Sequence, residues 1–140
     1  MLVVDDDLIQ HKAIKRAFRQ RGIQQQIRTA EDGLEALAIL RGTQGHEPIK
    51  EPYLVLLDLN MPRMDGIEFL RELRADPVHC NAIVFVLTTS REEKDRVNAY
   101  ALNVAGYIVR SDFGAGLQRV IDLLESYWKV VEFPTHKSSP

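Results

Sequence analysis

The chain has 140 residues, 45% of them apolar and 27% charged, the makeup of one globular domain with a real core. Its formal net charge of −2, with both signs interspersed, excludes a basic nucleic-acid or anionic-membrane surface. Cys80 is the sole cysteine, so an internal disulfide framework is excluded and a reducing cytoplasm is expected; no run has the character of a membrane span or a signal peptide.

Leu2, Val3 and Val4 predict a short buried strand that starts almost at the first residue and ends at Asp5, Asp6 and Asp7. Adjacent acids repel one another, and a protein tolerates them where a cation collects them. Asp7 is placed to cap a first helix, whose core face is expected from Ile9, Ala13, Ile14, Ala17 and Phe18, with Gly22 as its stop. A weakly patterned second strand is expected over 25–29, where Ile23 and Ile27 are the strong apolar residues nearby. Asp32 and Gly33 open a second helix, carried by Leu34, Leu37, Ala38 and Leu40, and Gly42 closes it. The polar stretch 42–52 reads as a surface loop, longer than usual between helix and strand, in which His46 and Glu47 are solvated.

The run Leu-Val-Leu-Leu at 54–57 suits a strand buried on both faces of a parallel sheet. Asp58 ends it. An ionised carboxylate directly after such a run is costly unless it points out of the strand's carboxyl end into a polar cleft. Pro62 forbids further pairing, and Asp65-Gly66 starts a third helix (Ile67, Phe69, Leu70, Leu73) that stops near Asp76-Pro77. A wholly apolar strand is expected over 83–87, with Thr88, Thr89 and Ser90 at its end. Ser90 and Glu93 have capping-box spacing, so a fourth helix is expected from there to about Leu102. Residues 106–109 read as a fifth strand, followed by Arg110. Ser111 or Asp112 then caps a last helix with Leu117, Val120, Ile121, Leu124 and Trp128 in helical period.

This alternation of strands and helices implies an α/β fold: a doubly wound, five-stranded parallel sheet with helices on both faces. All strand carboxyl ends then share one edge, which gathers Asp5, Asp6, Asp58, Thr88 and Arg110. The set suits phosphoryl transfer to a carboxylate. Several acids bind a hard cation such as Mg²⁺, Asp58 attacks phosphorus, and a hydroxyl and a cation hold the other phosphoryl oxygens.

Four segments carry a family resemblance: Leu-Val-Val-Asp-Asp at 2–6, Asp-Leu-Asn-Met-Pro-Arg-Met-Asp-Gly at 58–66, Val-Leu-Thr-Thr-Ser at 86–90 and Gly-Tyr-Ile-Val-Arg-Ser at 106–111. With them the chain resembles a response-regulator receiver domain of two-component signalling over essentially its whole length. The resemblance implies a flavodoxin-like (βα)5 fold with strand order 2-1-3-4-5. It also implies a single receiver domain over 1–133, a disordered tail over 134–140 and no output domain. It makes Asp58 the phosphoacceptor and Asp5 and Asp6 the acidic metal pocket. Asn60 gives its backbone carbonyl to Mg²⁺, and Thr88 and Tyr107 form the switch pair. The protein is then no enzyme in the usual sense, since it catalyses only its own phosphoryl transfer and dephosphorylation. Leu-Thr-Thr-Ser at 87–90, the long loop before the third strand and the tail at 127–134 resemble the small stand-alone regulators paired with bacterial and cyanobacterial phytochromes. The implied partner is a sensor histidine kinase, a phytochrome kinase in that closer likeness.

Arg110 departs from the pattern, because receiver domains usually carry Lys there. Arg keeps the charge but presents a planar fork on a longer stem, so slower or altered transfer is expected. A pseudo-receiver that is never phosphorylated is the reading this exchange leaves open. Asp5-x-Asp7 also mimics the acid pair of a haloacid-dehalogenase-type phosphatase, with Thr88 as its second motif. At the other end Leu123, Leu124, Tyr127, Trp128, Val130, Val131 and Phe133 cover more than one helical face. They are expected to form a homodimer interface with the fourth helix and fifth strand, or to fold back over the chain's own sheet.

Overall fold

A computed structural model describes residues 1–110 and 115–134, with the side chain of residue 115 left aside. Strands and helices alternate as β1 (Leu2–Val4), α1 (Leu8–Gln20), β2 (Arg28–Ala30), α2 (Gly33–Arg41), β3 (Leu54–Leu57), α3 (Gly66–Ala75), β4 (Ile83–Thr88), α4 (Glu93–Ala101), β5 (Gly106–Val109) and α5 (Ala115–Val130). The strands form one parallel sheet in the order β2-β1-β3-β4-β5. Side chains alternate across it. Val4, Val55, Leu57, Val84 and Val86 face α2, α3 and α4, where Leu37, Phe69, Leu70, Leu73 and Ala99 close one core. Val3, Leu54, Leu56, Phe85 and Leu87 face α1 and α5, where Ile14, Phe18, Val120, Ile121 and Leu124 close the other. With β1, β3 and β4 buried on both faces, each of their large apolar side chains contributes about 1.5–3 kcal/mol of burial.

Local chemistry sets the helix ends. Asp7, Asp32 and Asp65 each accept a backbone N–H of their own helix's first turn, and Asp65 completes a capping box with Glu68. Gly42 ends α2 in the left-handed conformation at φ 69°, which a residue with a Cβ adopts only under strain.

Four expectations are corrected. Strand β2 lies at Arg28–Ala30, and not over 25–29, because its partner β1 offers only Leu2, Val3 and Val4 to pair with. Ile9 and Leu34 are exposed. The core stripe of α1 runs through Gln10, Ile14, Ala17 and Phe18, and Ile9 falls one helical step outside it. Ser90 does not cap α4. Its hydroxyl donates to Asp95 at 2.6 Å and accepts from the Glu92 N–H at 3.3 Å, and the helix begins at Glu93 without a side-chain cap. Ser111 and Asp112, the expected caps of α5, lie outside the described residues, as do residues 135–140, where a disordered tail is expected.

Much of the apolar surplus at the carboxyl end is used within the chain. Tyr127 sets its ring edge-on against Phe85 at 4.9 Å between centroids, and Phe133 packs on Trp128 at 4.8 Å. Leu123 and Val130 stay exposed on α5, as do Val97 and Tyr100 on α4.

Candidate functional site

The parallel register of β1 and β3 pairs Val4 with Leu57, so the residues that leave these two strands, Asp5 and Asp58, are neighbours. Main-chain bonds fix them: Asp58 N–H donates to the Val4 carbonyl at 2.8 Å, and Asp5 N–H donates to Ala30 at 3.0 Å. The Asp5 carboxylate also accepts the Asp7 N–H at 2.9 Å, which turns the chain and brings Asp6 to the same edge. One carboxylate oxygen from each of Asp5, Asp6 and Asp58 lies within 4.8 Å of the others. Asp5 and Asp58 are buried, while Asp6 stands at the open side.

Three acids so close, two of them buried, are electrostatically unsatisfied. Burial drives the Asp5 carboxyl up to about 7, against the pull of the Asp7 N–H; the charge of Asp58 raises it further and that of Arg110 opposes. Burial also raises Asp58. There the neighbouring hydroxyl of Thr88 and the N–H of Asn60 hold the carboxylate down in part. The Asn60 bond is long at 3.4 Å. Arg110, its side chain largely buried, brings Nη1 to 4.0 Å from Asp5 Oδ2, and its charge favours the ionised forms of both Asp5 and Asp58. An all-oxygen donor set of this kind, with one acid open to water, fits a divalent cation that keeps part of its hydration shell.

Thr88 is fully buried at the end of β4. Its hydroxyl lies beside Asp58, whose carboxyl it helps to hold down, and accepts the Ser90 N–H at 3.3 Å. Tyr107 stands outside this set: its hydroxyl donates to the Ser90 carbonyl at 3.0 Å, and its N–H donates to the Tyr100 hydroxyl. Asp5, Asp6, Asp58, Thr88, Arg110 and the backbone of Asn60 thus meet at one edge, and Tyr107 lies one residue removed through Ser90. Asp7 points away and caps α1 through Ile9 N–H, which leaves a phosphatase of the Asp-x-Asp type without its second acid in the cleft.

Sequence reasoning missed three supports. Gly66 lets α3 start directly against the segment that follows β3, since a Cβ there would sit 2.6 Å from the Asp58 carbonyl oxygen and 2.7 Å from Leu59 Cα. His11 is buried beneath β1, and burial pushes its imidazole below the usual range against the pull of the Asp5 backbone. Arg63, on the loop after Asp58, pairs with Asp32. The only signal for Gly66 was its place after a capping Asp; the other two are contacts between separate segments and leave no local pattern.

Comparison with known proteins adds to this geometry. Residues 1–121 match the response regulator receiver domain family. Response regulator Rcp1 of Synechocystis sp. is 33% identical over 128 residues, 91% of this chain and 87% of the relative. Among solved structures, the phosphorylated cyanobacterial phytochrome response regulator RcpA superposes with a TM-score of 0.86 at 32% identity, covering 96% of each chain. The Mn²⁺-bound form of response regulator Rcp1 gives a TM-score of 0.84 at 32% identity, over 96% of this chain and 97% of the other.

Proposed function

This chain belongs to the response regulator receiver domain family, and on that premise we propose that Asp58 accepts a phosphoryl group from a phosphohistidine of a sensor kinase. A carboxylate oxygen of Asp58 attacks phosphorus, the P–N bond breaks, the imidazole leaves with a proton from solvent, and an acyl phosphate remains. Asp5, Asp6, Asp58 and the Asn60 carbonyl hold Mg²⁺, which when bound neutralises the charge that would repel the incoming group. Thr88 and Arg110 take the other phosphoryl oxygens. The observation that carries this reading is the convergence of one carboxylate oxygen from each of Asp5, Asp6 and Asp58 within 4.8 Å of one another, with Thr88 beside Asp58, all at the carboxyl edge of one parallel sheet.

Signalling follows from the same contacts. When the Thr88 hydroxyl turns to the phosphoryl group, its bond to the Ser90 N–H changes, and Ser90 carries Tyr107 and the start of α4 with it. The surface that responds is made of α4, β5 and α5. Exposed Val97, Tyr100, Leu123 and Val130 on this surface support its use as a homodimer interface. The likeness to RcpA and Rcp1 supports a phytochrome as the kinase and the cytoplasm as the setting. Among the described residues no helix is long and apolar enough to cross a membrane. The pseudo-receiver reading rested on Arg110 alone, and Arg110 keeps a positive charge 4.0 Å from Asp5.

Incubation with acetyl phosphate or a phosphorylated histidine kinase plus Mg²⁺ tests the proposal. Wild type takes up labelled phosphate and Asp58→Asn takes up none; equal labelling of the two would overturn it.

A further inference from the structure

Loop 59–65 brings Asn60 to the acid cluster, and the turn between β2 and α2 holds that loop in three ways. Arg63 Nε donates to Asp32 Oδ2 at 2.7 Å, and its Nη2 donates to the same oxygen. Gly33 N–H donates to the Met64 carbonyl at 3.1 Å. Gly33 also has no Cβ where one would lie 2.7 Å from Met64 Cγ. Asp32 is only 4% exposed and spends its other oxygen on capping α2 through Glu35 N–H, so its carboxylate is fixed before Arg63 reaches it. Arg63 sits at φ 62°, a left-handed conformation that strains a residue with a Cβ and persists only where contacts hold it. The same turn binds the opposite wall of the cleft, because Ala30 accepts the Asp5 N–H.

We infer that the Asp32–Arg63 ion pair is a positioning clamp for the divalent cation: through the β2–α2 turn it sets the distance between the Asp5 side of the cleft and the Asp58–Asn60 side. Neither residue touches the cation. Their part is to hold its ligands in place before it arrives, which is where affinity for a small hard cation is won. The inference rests on the proposed cation site at Asp5, Asp6 and Asp58.

Mn²⁺ titration followed by electron paramagnetic resonance, with thermal melts of the same samples without metal, tests it on wild type, Asp6→Asn, Arg63→Gly, Asp32→Asn and the double variant Asp32→Asn/Arg63→Gly. Glycine removes the left-handed strain at position 63, so Arg63→Gly melts no lower than wild type. Its Mn²⁺ affinity nevertheless falls about tenfold, the usual effect of losing an outer partner of a metal site. Asp32→Asn keeps a good helix cap and loses affinity in the same direction, and the double variant is no worse than Arg63→Gly. Wild-type affinity in Arg63→Gly, or losses that multiply in the double variant, would overturn the clamp while the loss in Asp6→Asn still supports the cation site. Wild-type affinity in Asp6→Asn would overturn the cation site and the clamp together.

Discussion

Asp5 is buried beside Asp58 and lifted to about 7, whereas an unfolded chain gives the same side chain a value near 3.8. Between those values the folded protein holds a proton that the unfolded chain has released. Stability from this group is therefore present below about 4 and is lost as pH rises towards about 7. His11 acts in the opposite sense: burial lowers its imidazole, so the folded state gains as pH rises through its ordinary range. Comparison of wild type with Asp5→Asn isolates the Asp5 contribution. In EDTA the melting temperature of Asp5→Asn gains on wild type between pH 4 and pH 8, and a divalent cation restores wild type at the upper end; parallel pH profiles would contradict the assignment. Arg110 is the other residue whose chemistry can be tested singly. Its largely buried fork comes to 4.0 Å from Asp5, where an ammonium would act as a compact charge. Arg110→Lys is expected to take up phosphate faster, and equal rates with equal switching would remove any tuning role for Arg110.

Elements with a strong apolar signature were legible in the sequence, and those without one were not. Strands β3 and β4 are continuous apolar runs, and they stand where the pattern put them. Strand β2 was misplaced because Arg28, Thr29 and Ala30 carry no such pattern and the strand owes its position to pairing with β1. The start of α4 was misread because Ser90 has capping spacing, yet its hydroxyl bonds the Asp95 side chain and the Glu92 N–H and no backbone N–H within the helix. The acids of the site were readable as strand ends, while the contacts that position them were not: Asp32 and Arg63 are 31 residues apart and signal nothing locally. Helix α3 shows how tightly an element can serve the site. Gly66→Ala forces a methyl onto the Asp58 carbonyl oxygen and Leu59 Cα, neither of which belongs to a flexible side chain. It is expected to cost about 1–3 kcal/mol in urea unfolding and to slow phosphate uptake. An unchanged midpoint would contradict the close approach.

At the scale of the molecule, parallel pairing and right-handed crossovers bring residues from β1, β3, β4 and the end of β5 to one edge of the sheet. The opposite consequence of that topology is an outer strand, β5, flanked by α4 and α5 with Val97, Tyr100, Leu123 and Val130 exposed. Sedimentation velocity over rising concentration is expected to show a dimer, and phosphorylation to shift its midpoint, because Tyr107 on β5 is bonded to the Ser90 segment. A protein that stays monomeric at high concentration in both states would remove this face as the dimer interface. The central claim concerns one side chain. Borohydride reduces an aspartyl phosphate to homoserine, so digestion and tandem mass spectrometry after phosphoryl transfer in Mg²⁺ locate the acceptor by its new mass. Homoserine at position 58 and at no other acid is the predicted result. Homoserine at position 5 or 6, or a chain that takes up phosphate and yields none at 58, would contradict it.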